Sequence, residues 1–195
     1  CRAVVAHVAF LGADRAAREG IFSSQAAIDL YSQIYANENI TGEAADRATL
    51  LREAYVANTA AARVSAMQSI WENEDLPDYG RYVLTAYAAA RIPASPDLAD
   101  NAPALISSML TAGLDRDAAA WSQSVEPGSD AWALIAVGRN AIGRIEPREA
   151  IDSFIDDDDS ADYRRSQFLL AGLAGLERIS PNDLSDFAGR TGGDL

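Results

Sequence analysis

Apolar residues in this chain return at steps of three and four and never alternate over more than a few positions. Its oily face is therefore helical, and a sheet has no pattern to grow from. Composition agrees: 39 Ala and 17 Leu stand among 195 residues, while strand formers are sparse. Ser24, Thr41, Asn58 or Thr59, Asp115, Ser129, Ser160 and Ser180 precede periodic runs as helix caps. Pro77, Pro96, Pro103 and Pro181 fall where first-turn residues belong. Ile28, Tyr31 and Tyr35 make one stripe, and Leu50, Leu51, Ala54 and Tyr55 a second. Val64, Met67, Ile70 and Trp71 make a third, and Tyr79, Val83, Ala86, Tyr87 and Ala90 a fourth. The expectation is an all-α chain of about ten antiparallel helices, joined by short connections into helical hairpins.

Several kinds of chemistry are excluded by what the chain lacks. A single Cys (Cys1) and a single His (His7) cannot form a disulfide or a Cys/His zinc site within one chain, and no metal or cofactor is expected. A net charge of −13 repels phosphate backbones and anionic membranes, so neither nucleic acid nor a membrane surface is an expected partner. The longest apolar runs, near Tyr82 to Ile92 and Phe168 to Leu176, are about half of a bilayer span, which points to a soluble chain. No phosphate-cradling Gly loop, nucleophile elbow or metalloprotease helix is present, and no enzymatic activity is expected. Every one of the 16 basic residues is Arg; this reads as codon bias and carries no functional weight.

The acidic runs do not change that expectation. A calcium loop starting at Asp156 would need Gly and Glu where the chain has Ala161 and Gln167. Asp156 to Asp159 and Asp162 instead read as a solvated anionic turn before a helix start, where the dipole favours carboxylates. Glu72, Glu74 and Asp75 beside Trp71 read as exposed carboxylates in a connection, and His7 as a core or interface residue. Trp121 and Trp132 read as packing residues around the Glu126-Pro127-Gly128 turn.

Internal echoes suggest repetition. Leu84 to Asp100 recurs, with one-residue adjustments, as Leu170 to Asp186, and Ala27 to Tyr31 echoes Ala150 to Phe154. A hairpin unit of about 41 to 43 residues fits both offsets, as in HEAT-like and armadillo-like arrays. An Arg-Ile turn before Pro, at Arg91, Arg144 and Arg178, should place a cation at a helix C-terminus and an apolar plug in the corner.

From Leu134 to Phe154 the chain resembles a tetratricopeptide repeat: Leu134, Val137 and Gly138 suit its first helix, and Ala150 and Phe154 its second. It departs from that pattern at Ala141, where an aromatic is expected, at Gly143 in the turn, and at Asp162 in the closing Pro position. Residues 60–190, through SFIDDDDSADYRRSQFLLAGLAGLERISP, are also similar to a group of uncharacterised long helical bacterial proteins. These resemblances imply an α-solenoid of tetratricopeptide-like or HEAT-like hairpins, in which residues 1–195 form one helical-repeat region with a possible sub-boundary near 73–77. They also imply a piece of a longer chain, as does a start at Cys1 without Met. The functional expectation is a scaffold presenting a groove to a protein or peptide partner, with Tyr35, Trp71 and Tyr79 as aromatic anchors. The alternative is a non-catalytic helical region of a larger bacterial cell-wall enzyme.

Overall fold

The computed structural model describes residues 19–21, 23–72, 79–140 and 145–192, with Gly12 and Ala16. The expected sub-boundary near 73–77 lies outside these residues, as do Cys1, His7, Glu74, Asp75, Pro77, Ala141, Gly143 and Arg144. From Ser24 onward ten α-helices follow one another, and the described residues contain no strand. They are α1 (Ser24–Tyr35), α2 (Glu43–Val56), α3 (Ala60–Trp71), α4 (Tyr79–Ala89), α5 (Ala102–Thr111), α6 (Asp115–Ala119), α7 (Asp130–Gly138), α8 (Arg148–Asp156), α9 (Arg164–Gly175) and α10 (Pro181–Thr191). Short 3-10 turns occupy Pro96–Asn101, Ala120–Gln123 and Ala161–Tyr163.

The capping chemistry is visible at atomic level. The side chains of Thr59, Ser129 and Ser180 accept from the amides of Ala62, Trp132 and Asp183. Each bond satisfies a first-turn donor that the helix itself leaves unpaired. Two starts differ by one residue from the sequence reading. Ser23 caps α1, while Ser24 is its buried first residue. Gly42 stands at the cap of α2 in place of Thr41, with φ 76 and no side-chain bond, because a positive φ suits glycine. The Ser180 hydroxyl also donates to the Asp183 carboxylate at 2.6 Å, a bond between side chains rather than one to the amide of the cap.

The chain divides into two compact units. Unit 1 comprises Cys1–Pro93 and Ala104–Leu114, and unit 2 comprises Ala94–Pro103 and Asp115–Leu195. In unit 1, α2 packs on α1 and α3, and α4 rests on all three. Its core is apolar and aromatic, with Tyr31, Ile34, Leu51, Met67, Ile70 and Val83 buried. A polar thread crosses it: the Trp71 indole donates to Thr85 Oγ1 at 2.8 Å, Thr85 shares a 2.8 Å bond with Ser108, and Ser108 donates to the Tyr82 carbonyl. Each buried polar atom of the thread thereby has a partner.

Unit 2 is built by stacking. Its core gathers Ile151, Phe154, Ile155, Leu169, Leu170, Leu173 and Phe187 from α8, α9 and α10 with Ala133 and Ala136 of α7. Helix α9 lies on α7, and α10 lies on α8. Asp130 at the start of α7 meets Arg165 at the start of α9, while Val137 near the end of α7 faces Gly172, where an added Cβ would sit 3.2 Å from its Cγ1. The two helices therefore run the same way. Ion pairs tie α8 to α10 with a similar offset: Arg148 to Asp183 and Asp186, and Arg190 to Asp152 and Asp156. These partners are 34 to 38 residues apart, so both contacts join elements separated by a step of about 35 residues. That step is shorter than the 41 to 43 residues drawn from the sequence echoes. The echoes match corners: Ile92 and Ile179 are both buried plugs, and Ser95-Pro96 and Ser180-Pro181 both start a helical turn.

The Arg of those corners behaves differently from the expectation. Arg178 donates to the carbonyls of Ala136, Val137 and Arg139, so it closes the C-terminus of α7 rather than that of its own helix. The reason is that α9 already ends in a backbone motif, with Glu177 at φ 56 and the Arg178 amide on the Leu173 carbonyl. Arg91 lies over the Tyr55 ring at 5.5 Å. Ile145 is exposed and plugs nothing.

Candidate functional site

An apolar groove runs along a pair of helices in each unit. In unit 1 the lining comes from Ile28, Tyr31, Ser32 and Tyr35 of α1 and from Ala48, Leu51, Arg52 and Tyr55 of α2. Both sets have the i, i+3, i+4, i+7 spacing of a single helical face. The cavity measures about 320 Å³. Its floor is fixed by Tyr31, which is 2% exposed and whose hydroxyl lies 3.5 Å from Arg47 Nη1, while Tyr35 and Val56 stand exposed at its edge. The Arg52 guanidinium covers the Tyr35 ring at 5.2 Å, a cation–π contact. Burial pushes the Tyr55 phenol up to about 12, outweighing the opposing pulls of the Ala88 backbone and, after it, the Arg91 charge.

In unit 2 the same geometry recurs between α7 and α9. Asp130, Ala133, Leu134 and Val137 form one wall, and Arg165, Phe168 and Leu169 the other, with Phe154 and Pro103 completing a cavity of about 350 Å³. Phe168 is 74% exposed, the most open aromatic ring among the described residues, although it sits on a helix whose Leu169, Leu170 and Leu173 are buried. The apolar run Phe168 to Leu176 is thus covered on one side, with Phe168 and Leu176 left open.

The start of α9, and hence the position of Phe168, is held by the acidic turn. Asp158 accepts from the amides of Ser160 and Ser166 and from the Ser166 hydroxyl at 2.6 Å. Burial alone would raise the Asp158 carboxyl, but the bonds from Ser160 and Ser166 outweigh it and hold the group well below the usual carboxylate range. Arg165 spans Asp130, Asp158 and Asp159 at 3.1 to 3.4 Å. Asp162 and Tyr163 adopt the left-handed region at φ 57 and 52 just before the helix. The turn is therefore less solvated than the sequence suggested: the Asp158 side chain is fully enclosed, whereas Asp159 is 93% open. Among the described residues no cluster of His, Cys, Asp or Glu could hold a metal ion.

Of the three anchors drawn from sequence, Tyr35 lines the unit 1 groove. Trp71 is buried, with its indole on Thr85 and its ring 5.6 Å from that of Tyr82. Tyr79 is half-exposed at the start of α4, and neither it nor Trp71 belongs to the groove. The three are not brought together. Glu72 ends α3, and its carbonyl accepts from Arg81. Trp121 is buried and Trp132 packs on the unit 2 core, while Gly128, at φ 90, lets the adjoining turn approach Ser153. Phe168 and Arg165 were missed as site residues; their shared face with Leu169 was the available signal.

No helix among the described residues is long and apolar enough to cross a membrane. No family model matches the chain, and no curated protein or solved structure matches it.

Proposed function

We propose that the chain is a docking module of paired helices that receives an apolar or aromatic segment of a protein or peptide partner and has no catalytic role of its own. The observation that carries this reading is Phe168, open to solvent at the mouth of a preformed apolar groove. Covering an aromatic ring contributes roughly 1.5–3 kcal/mol, and rigid aromatic anchors dominate binding surfaces. An exposed apolar patch of this kind marks an interaction site more readily than a chemical one. A serial array of tetratricopeptide-like hairpins belongs to the same proposal, supported by the step of about 35 residues between stacked hairpins in unit 2.

A peptide-display selection on the purified chain, counter-screened against a Phe168→Ser, Tyr35→Ser variant, tests the reading. Enriched peptides that lose binding to the variant are expected. Absence of enrichment, or peptides that bind both proteins equally, would overturn it. Both substituted side chains are exposed, so the variant keeps its fold.

A further inference from the structure

The unit 2 groove carries a strongly charged rim. Its apolar floor on α7 is Ala133, Leu134 and Val137, spanning about 6 Å along the helix, beside Leu169 and the open Phe168 ring on α9. Such a channel between two co-directional helices accepts a third helix, whose own apolar residues at i and i+3 or i+4 would lie along it. At the N-terminal end of both helices stand Asp130, Asp158 and Asp159, with Arg165 shared among all three and the exposed Arg164 beside it. Asp157 and Asp162 add carboxylates in the same turn, and the chain as a whole carries −13. A second copy of this chain would bring like charge to that rim. A segment bearing Lys or Arg beside its apolar face would instead complement it.

We infer that the α7–α9 groove docks a cationic amphipathic helix of a partner protein, its apolar face on Leu134, Val137 and Phe168 and its basic residues against Asp130 and Asp159; this rests on the docking reading above. The site is preorganised, because the acidic turn is already fastened to α9 through Asp158 and Arg165, so little ordering entropy is lost on binding.

The test uses the full chain and three labelled synthetic peptides with the same Leu stripe, flanked by Lys, by Gln or by Glu, with affinity read by fluorescence anisotropy. The Lys peptide is expected to bind about tenfold more tightly than the Gln peptide, with the Glu peptide weakest. Phe168→Ser should weaken the Lys peptide by about tenfold, and Asp130→Asn with Asp159→Asn should erase its advantage over the Gln peptide. If all three peptides bind equally and all depend on Phe168, the charge requirement is wrong while the docking reading stands. If the Lys peptide binds the Phe168→Ser variant undiminished, its attraction is diffuse surface charge and the inference is overturned. If none of the three binds, the inference is overturned as well, and the display selection decides the docking reading separately.

Discussion

Unit 1 and unit 2 solve the same problem with different materials. In unit 1 helices α1 to α4 and residues 104–111 of α5 close around aromatic and aliphatic side chains, the buried polar thread of Trp71, Thr85 and Ser108 is neutral, and Arg81 donates to the carbonyls of Ile70 and Glu72 within the unit. In unit 2 consecutive hairpins are joined by guanidinium groups that each grip several acceptors: Arg148 on Asp183 and Asp186, Arg165 on Asp130, Asp158 and Asp159, Arg190 on Asp152 and Asp156, and Arg178 on three carbonyls. Closing a bundle buries most of its apolar side chains, while Tyr35 and Val56 stay exposed at the edge of the α1–α2 groove. Stacking hairpins in register leaves an open channel between co-directional helices, and Phe168 stands in it. The planar five-donor guanidinium suits this bridging in a way an ammonium does not.

The contrast can be broken most forcefully at Arg178. Arg178→Ala removes a 5%-exposed cation that closes α7, and it strips three carbonyls of their donor. The expected loss is about 3–5 kcal/mol, seen in segment-resolved hydrogen exchange as lost protection over residues 130–192. Equal loss over residues 24–89 would show the contrast to be mistaken. Next in size is Thr85→Val, which leaves the Trp71 indole and the Ser108 hydroxyl short of a partner; it should cost about 1–3 kcal/mol in chemical denaturation.

Asp158→Asn comes third. It keeps one acceptor but loses the charged cap of α9, a cost of about 1 kcal/mol at neutral pH. The pH dependence sharpens the comparison. The folded-state carboxyl of Asp158 titrates below its ordinary 3.8, so its stabilisation is whole above that pH and is lost as the pH falls toward the folded value. The Tyr55 phenol is raised from 10.0 to about 12, so its contribution is whole below pH 10 and is lost as the pH rises through 12. Acid should therefore loosen α9 first and alkali α2 first. Asp158→Asn should flatten the acid limb of the denaturation profile and Tyr55→Phe the alkaline limb. The smallest effect is expected for Arg190→Gln, whose half-exposed ion pairs with Asp152 and Asp156 contribute within about 1 kcal/mol and fade with added salt.

Helix existence was legible because it is local: Thr59, Ser129 and Ser180 announce their helices through side chains a few bonds away from the amides they cap. Register between hairpins was not. It depends on Arg–Asp pairs 34 to 38 residues apart, and in a chain with 16 Arg and many Asp no spacing singles those pairs out. The corner echoes at Ile92 and Ile179 report a shared way of turning the chain, not the spacing of stacked units. Aromatic character alone also does not separate core from surface. Trp71 went to the core because Thr85 answers its indole, whereas Phe168, with no polar atom to satisfy, could remain at the surface of a helix already buried on its other side.

The docking claim is most directly tested by amide chemical-shift mapping of the full chain titrated with a display-selected peptide. Shifts concentrated at Leu134, Val137, Phe168 and Leu169, or at Tyr35 and Arg52, are predicted. No shifts at saturating peptide, or shifts scattered over exposed carboxylates with both grooves silent, would contradict it.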